Sequence, residues 1–508
     1  MRFGIMLVMV ALCWLLAKYT RQSAELFANA PARKSTPIGE SLVPQTQVLL
    51  DAWVGFADKG ILSPSERRAA FLELEHSFDP RALERRRARR TLPGLFDDHD
   101  LPLHSAYLEG VAATGARLRV RSRWLNGVTV LGTRDQLAAI DDLPFVAEVS
   151  DVHLHVPKGE RRARIPQDPD LVRAPRDDSL GTYGWSAPQI RQLNLEPLHE
   201  AGFRGAGVRI GVVDTGFLIS HSAFSGPGPG VRLRVVAQWD FVDNDSVVAP
   251  EPGDSPVQHE HGTLVLGTVG ANRPGELVGS APEAEYVLLK AEDEATEYHL
   301  EERWFVAALE FAEAHGCDVI TSSVVLYEGY EPHEVDGHTS VMAQGWERAV
   351  GNGVLGFQGG GNAGHDDDPS THGLLTPGGV PGVITVGAAD PQGRVARFSS
   401  DGFSLEGTVK PELLAWGQGT ATVSPYDSSG YTSTAGTSVA TPLLAGAAAC
   451  LLQANPQWSN EDLKEALFRS GGYFRAQGEP DPRFVQGYGI PDLERAAGKG
   501  SGRDPESP

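Results

Sequence analysis

The stretch Val439-Ala440-Thr441-Pro442-Leu443-Leu444-Ala445-Gly446-Ala447-Ala448-Ala449-Cys450-Leu451-Leu452 is nearly all apolar. A helix without a polar stripe cannot lie on a surface, so other elements must cover it on every side. Pro442 is tolerated only in a first turn, which sets the helix start close to Ser438. Short β-branched runs supply the cover: Val208–Val213, Cys317–Ser322 and Val383–Ala388. Runs of that kind are parallel strands buried on both faces. Glu301–Ala314 reads as a helix between strands. The alternation predicts an α/β fold, a three-layer sandwich with a mostly parallel sheet.

Three motifs then fall at the ends of these elements. Asp214, in Asp214-Thr215-Gly216, ends the first run, and groups that do chemistry in open α/β sheets sit beyond the carboxyl ends of strands. His261 opens the small, apolar helix Gly262–Gly270, whose positive end favours the neutral imidazole of a general base. Ser438 heads the apolar helix, where backbone N–H groups favour developing negative charge. Alone, each has an ordinary role: a turn aspartate, a turn histidine, a helix N-cap. Together, in the order Asp, His, Ser, they read as a catalytic triad. A fourth segment, Gly359-Gly360-Gly361-Asn362-Ala363-Gly364, is either a turn with a left-handed asparagine or the source of an amide N–H₂ for an oxyanion.

These motifs resemble those of the subtilisin-like serine proteases (subtilases, peptidase family S8) over roughly Trp185–Ala497. The resemblance implies a serine endopeptidase working through an acyl-enzyme. Asp214, His261 and Ser438 would be catalytic, Asn362 would serve the oxyanion hole, and no cofactor would be required for the chemistry. The substrate-binding strand of the family aligns with Ser323-Val324-Val325, where Val325 stands at a usual glycine, and the opposite wall with Gly359-Gly360. A β-branched residue there crowds the primary pocket and alters side-chain preference, not the reaction.

Asp240, Asp243 and Asp245 alternate along a loop in a way that suits a structural calcium ion, and equally a solvated acidic loop. His259-Glu260-His261 lacks the spacing by which two imidazoles grip zinc from one helix, so a metalloprotease is unsupported and no catalytic metal is expected. An aspartic protease needs a second Asp-Thr-Gly, which Asp427-Ser428-Ser429-Gly430 is not. A catalytically silent binding module on the same frame is the rival from another class.

At 508 residues, about three domains are expected. Residues 1–30 read as a signal peptide or N-terminal anchor, which implies export to the exterior or the cell envelope. Residues 46–156 mix strands (Trp53–Phe56, Leu118–Leu131, Phe145–Val149) with helices from Ser63 and over Thr133–Ile140. This small α/β, ferredoxin-like unit resembles a subtilase propeptide, which would make it an intramolecular inhibitor. Arg85-Arg86-Arg87-Ala88-Arg89-Arg90 within it reads as a solvated basic face or a processing target. Residues 157–184 form a linker and processing region, 185–497 the catalytic domain, and 498–508 a polar tail. Residues 166–508 carry 47 acidic and 21 basic side chains, which argues against a nucleic-acid partner. The expected partners are peptide and protein substrates and the chain's own propeptide, with the protein monomeric. Cys317 and Cys450 read as small core residues.

Overall fold

The computed structural model describes residues 48–157 and 178–498, except 61–62, 226–231, 297, 327–329, 331, 369 and 406–407. The expected signal or anchor segment, most of the linker and the polar tail lie outside the described residues.

Near the N-terminus, strands Leu49–Phe56 (β1), Arg117–Ser122 (β2), Gly127–Thr133 (β3) and Val146–Leu154 (β4) form an antiparallel sheet in the order β2-β3-β1-β4. Helices Pro64–Ser77 (α1), Pro80–Arg89 (α2), Ser105–Ala113 (α3) and Arg134–Asp141 (α4) accompany it. The strands with α3 and α4 make the ferredoxin-like unit, and α1 and α2 are an insertion between β1 and β2. Alternation along the strands divides the sheet. Ala52, Val54, Val128 and Val130 pack with Val111, Leu137 and Ile140 of α3 and α4. Trp53, Val120 and Trp124 join the core of the larger domain instead. The capping box expected at Ser63 forms with Glu66 and starts α1.

The larger sheet holds Arg209–Asp214 (β5), Arg234–Asp240 (β6), Glu285–Lys290 (β7), Val319–Ser322 (β8), Leu355–Gly359 (β9), Ile384–Ala389 (β10) and Leu413–Trp416 (β11). Its order is β11-β10-β9-β8-β5-β7-β6, and every neighbouring pair is parallel. Ile210, Val212, Val319 and Phe357 face one layer, with Glu260–Gly270 (α5) and Thr437–Ala454 (α8). Val213, Ile320, Val287 and Leu289 face the other, with Leu300–Ala314 (α6) and Val341–Gly351 (α7). This is the three-layer sandwich. From β5 the chain crosses to β6 at one edge, fills the gap with β7, then passes to the other side at β8, so β5 and β8 flank the switch point where ligands bind in such sheets.

The apolar helix α8 is the central one, but its proline is not in the first turn. The helix begins at Thr437, so Pro442 lies inside it. Proline has no N–H, so the carbonyl four residues earlier, that of Ser438, loses its helical partner. The Ser323 hydroxyl donates to that carbonyl at 2.9 Å. The break is thus tolerated because a neighbouring strand end completes the bond.

The insertion α1–α2 corrects the reading of the arginine run. Arg85 and Arg86 are buried, not solvated, and both reach Glu313 of α6. Arg86 also forks onto Asp100 at 2.8 and 3.0 Å. Arg87, by contrast, is exposed and pairs with Glu75. Nearby, Glu310 of α6 accepts the backbone N–H groups of Arg123 (2.7 Å) and Trp124 (3.1 Å) at the turn after β2. The small domain is therefore docked on α6 through one carboxylate for its sheet and one for its inserted helices.

Candidate active site

Asp214 ends β5 with no solvent exposure, and its Oδ1 lies 2.7 Å from His261 Nδ1. The same oxygen accepts the Thr215 N–H at 2.8 Å. Thr215 Oγ1 in turn accepts the Gly262 N–H at 3.1 Å, tying the start of α5 to the end of β5. The approach is too close for a side chain: a Cβ on Gly262 would lie 2.2 Å from the Gly216 carbonyl oxygen and 3.0 Å from Asp214 Oδ1. His261 is about 31 % exposed. Burial opposes charge on its imidazole, but Asp214, Glu292 and Glu294 outweigh it and hold the value up at about 10.

Ser438 occupies the first turn of α8, partly exposed. Asn362 Oδ1 accepts the Thr437 N–H at 2.9 Å, which turns its amide nitrogen toward the helix start. A Cβ at Gly436 would sit 3.6 Å from both Asn362 Nδ2 and the Ser438 backbone nitrogen. Two N–H donors therefore border one small space beside Ser438, and a side chain at Gly436 would enter it. Such an arrangement can stabilise an oxyanion.

His261, Ser438 and Asn362 line a cavity of about 180 Å³, together with Thr437, Gly361, Ser323, Val325, Glu292 and Glu294. Of the residues expected to bind substrate, Ser323 and Val325 border it. Val324 turns inward, 6 % exposed, and its carbonyl accepts the Gln358 amide at 2.9 Å. Gly359 and Gly360 are buried at and just beyond the end of β9, behind Gly361. A Cβ at either would find only ordinary contacts of 3.5 Å or more, so neither position demands glycine for space.

Glu292 and Glu294 are the lining residues that the sequence reading missed. They follow β7 directly, the same strand-end placement that marks Asp214 on β5, and that was the available signal. Burial and the neighbouring Glu294 push Glu292 well up. Burial, with Asp214 and Glu260 behind it, lifts Glu294 to about 7 against the pull of His261.

The suggested calcium loop has another occupant at its centre. The Lys290 ammonium lies 2.8 Å from Asp240 Oδ2 and 3.7 Å from Asp243 Oδ2, with Asp254 at 4.0 Å. Asp240 Oδ1 accepts the N–H groups of Val242 and Asp243, and Asp245 Oδ1 that of Val247. The donor set does not fit calcium, because a buried cation of the chain itself already holds it. Among the described residues, no group of three or more His, Cys, Asp or Glu side chains is arranged for a metal. Cys317 and Cys450 are both free and buried, far from this chemistry in role.

Residues 205–489 match the Subtilase family, and residues 51–166 match the Peptidase S8 propeptide domain of Bacteroidota. The chain belongs to the subtilase family: it is a subtilisin-like serine endopeptidase with an N-terminal propeptide domain. Subtilisin E of Bacillus subtilis is 28 % identical over 337 residues, 66 % of this chain and 77 % of that protein. Subtilisin DY of Bacillus licheniformis is 30 % identical over 310 residues, 61 % of this chain and 97 % of its own. Among solved structures, fervidolysin from Fervidobacterium pennivorans, a keratinolytic enzyme related to subtilisin, superposes with a TM-score of 0.56 at 19 % identity. That match covers 88 % of this chain and 61 % of fervidolysin, so this chain spans about three fifths of that protein and shares its fold.

Proposed function

We propose that Asp214, His261 and Ser438 hydrolyse peptide bonds as a triad, with Asn362 and the Ser438 N–H as the oxyanion hole. The observation that carries this is the 2.7 Å bond from buried Asp214 to His261 Nδ1, in the cavity that Ser438 and Asn362 also line. Ser438 Oγ attacks the scissile carbonyl, and His261 Nε2 takes its proton and returns it to the leaving amine. Asp214 holds the Nδ1–H tautomer and stabilises the imidazolium. Water, deprotonated by the same histidine, then releases the acyl group. Val325 and Ser323 form one wall for substrate, and no metal enters the chemistry.

The domain organisation belongs to the same proposal. Residues 46–156 act as the intramolecular inhibitor, residues 185–497 as the enzyme, and self-cleavage falls between Val156 and Tyr183. Residues 1–30 direct export, and the mature enzyme works outside the cell or at its envelope as a monomer. The docking of the small domain on α6 through Glu310 and Glu313 supports the inhibitor role.

Ser438→Ala tests the reading. The variant should fold, resist fluorophosphonate labelling, cleave no peptide, and keep its full-length mass, whereas wild type is shortened. A variant that retains activity, or is processed like wild type, defeats the assignment.

A further inference from the structure

The site described above contains two carboxylates for which the triad has no use. Glu292 and Glu294 border the cavity on the side of His261, while Val325, Ser323 and Gly361 border it on the other. Strand order explains the division: β8, which leads to Ser323, and β7, which leads to Glu292, lie on opposite sides of β5. Around these two groups the described residues supply acids: Asp214 on β5, Glu260 on α5, Asp293 between them in sequence, and Glu301 on α6. Against them, the His261 imidazole lowers both. The nearest lysine in sequence, Lys290, is committed to Asp240. No ion pair joins Glu292 or Glu294 to any lysine or arginine among the described residues. Two carboxylates in a partly enclosed site are costly unless something brings them positive charge.

A peptide bound in extended form alternates its side chains. If the residue whose carbonyl is attacked points toward Val325 and Gly361, the preceding residue points toward His261 and the two carboxylates. We propose that Glu292 and Glu294 form an acidic subsite that selects a lysine or arginine at the position immediately preceding the residue whose carbonyl is attacked. This deepens the proposed function and rests on it. The chain carries such a sequence where its two domains join: residues 158–164 read Lys-Gly-Glu-Arg-Arg-Ala-Arg. The subsite therefore also narrows self-cleavage to that basic stretch.

A bound cation does more than add affinity. The two carboxylates and Asp214 together favour the protonated imidazole of His261, which cannot act as a base. A guanidinium between Glu292 and Glu294 offsets their charge and lowers the pH at which His261 becomes neutral in the complex. Since kcat reports groups in the complex and kcat/KM those of the free enzyme, the two profiles separate the effects. The acid limb of kcat should lie at lower pH for an arginine peptide than for an alanine peptide. The acid limb of kcat/KM should coincide for the two.

The test uses the full chain, expressed as encoded and allowed to process, with peptides differing only in arginine, alanine or glutamate at that position. Wild type should favour arginine over alanine in kcat/KM by about 10- to 100-fold, the range of a charge-assisted hydrogen bond. In Glu292→Gln and Glu294→Gln the ratio should fall, most in the double variant, and the acid limb of kcat/KM should move to lower pH. Glu292→Asp should restore part of the ratio, and fluorophosphonate labelling of Ser438 in each variant reports an intact fold. A wild-type enzyme that is labelled and cleaves peptides with no such preference overturns the subsite and leaves the triad standing. An unlabelled, inactive wild type overturns the triad reading on which the subsite rests.

Discussion

The Arg86 guanidinium of the propeptide domain forks onto the Glu313 carboxylate of the catalytic domain, Nε to Oε1 and Nη2 to Oε2 both at 2.8 Å, with neither side chain exposed. Asp100 takes the other edge, and the rings of Phe78 and Phe96 stand 4.9 and 5.0 Å from the guanidinium carbon. Without Arg86, Glu313 keeps Arg85 but buried Asp100 keeps only Arg90 at 3.9 Å, and breaking a buried charged set of this kind typically costs about 3–5 kcal/mol. Arg86→Ala should therefore weaken propeptide docking far more than Arg87→Ala, whose guanidinium is exposed. Urea titration of the two variants, or the off-rate of the cleaved propeptide, checks the contrast; equal effects would refute it.

The same seam should open in acid. Burial opposes charge on Glu313, Asp97 and Asp79, but Arg85 and Arg86 at Glu313, His99 with Arg90 and Arg348 at Asp97, and the Arg81 N–H with Arg209 at Asp79 win and hold all three below their ordinary values. Carboxylates of that kind stabilise the docked form above the ordinary range near pH 4, and the contribution is lost as pH falls toward the depressed values. Glu310 runs the other way, since burial raises it and acid relieves its charge. Three against one predicts that the cleaved complex dissociates as pH drops below about 4. Size-exclusion chromatography across that range reads the outcome, and a complex that tightens in acid would show that Glu310 dominates.

Replacing Asn362 should affect the transition state. Its Oδ1 accepts the Thr437 N–H, so Asn362→Leu removes the Nδ2 donor together with that acceptor, and Asn362→Asp, which keeps an acceptor for the helix start, serves as the control for the lost bond. Loss of one such donor lowers kcat by about 10²–10³-fold. KM should change little, because the ground-state carbonyl gains less from the donor than the oxyanion does. Steady-state kinetics that show the loss in KM alone would place Asn362 in substrate binding.

What the sequence makes legible follows from how local each signal is. The strand ending at Asp214 and the helices headed by His261 and Ser438 announce themselves within ten residues, through β-branched runs and apolar stretches. Arg85 and Arg86 do not, since their partner Glu313 lies 227 or more residues away and no apolar stripe on α2 advertises burial. Ala82, Leu83 and Arg86 share the buried face, and only the first two read as core. Lys290 hides for the same reason: nothing near Asp240 in the sequence tells that a lysine from the adjacent strand fills the loop. The interior position of Pro442 was illegible because the hydroxyl that makes it tolerable comes from Ser323.

Lys290 makes the acidic loop testable by exchange of its cation. Lys290→Met leaves Asp240, which burial already lifts to about 6, without its ammonium partner. A loss of about 3–5 kcal/mol is expected in denaturant titration. Wild type should show no change in Tm on adding calcium or chelator through this loop. Calcium that raises the Tm of wild type, but not that of an Asp240→Asn variant, would restore the metal reading.

Ser323 and Pro442 act on one carbonyl, so their effects should be coupled. Ser323→Ala removes the hydroxyl that serves the Ser438 carbonyl and leaves an unsatisfied acceptor in the turn that carries Ser438. Such a loss costs about 1–3 kcal/mol when the acceptor is buried, and here it also loosens the backbone that aims Ser438. Pro442→Ala supplies a backbone N–H one helical turn along, the ordinary donor to that carbonyl. The penalty of Ser323→Ala, in stability and in kcat, should therefore be smaller in the Pro442→Ala background than in wild type. Independent contributions would add within about 0.3–0.5 kcal/mol. A double-mutant cycle that closes to within that margin would mean Ser323 matters for its place on the cavity wall, and not for holding Ser438.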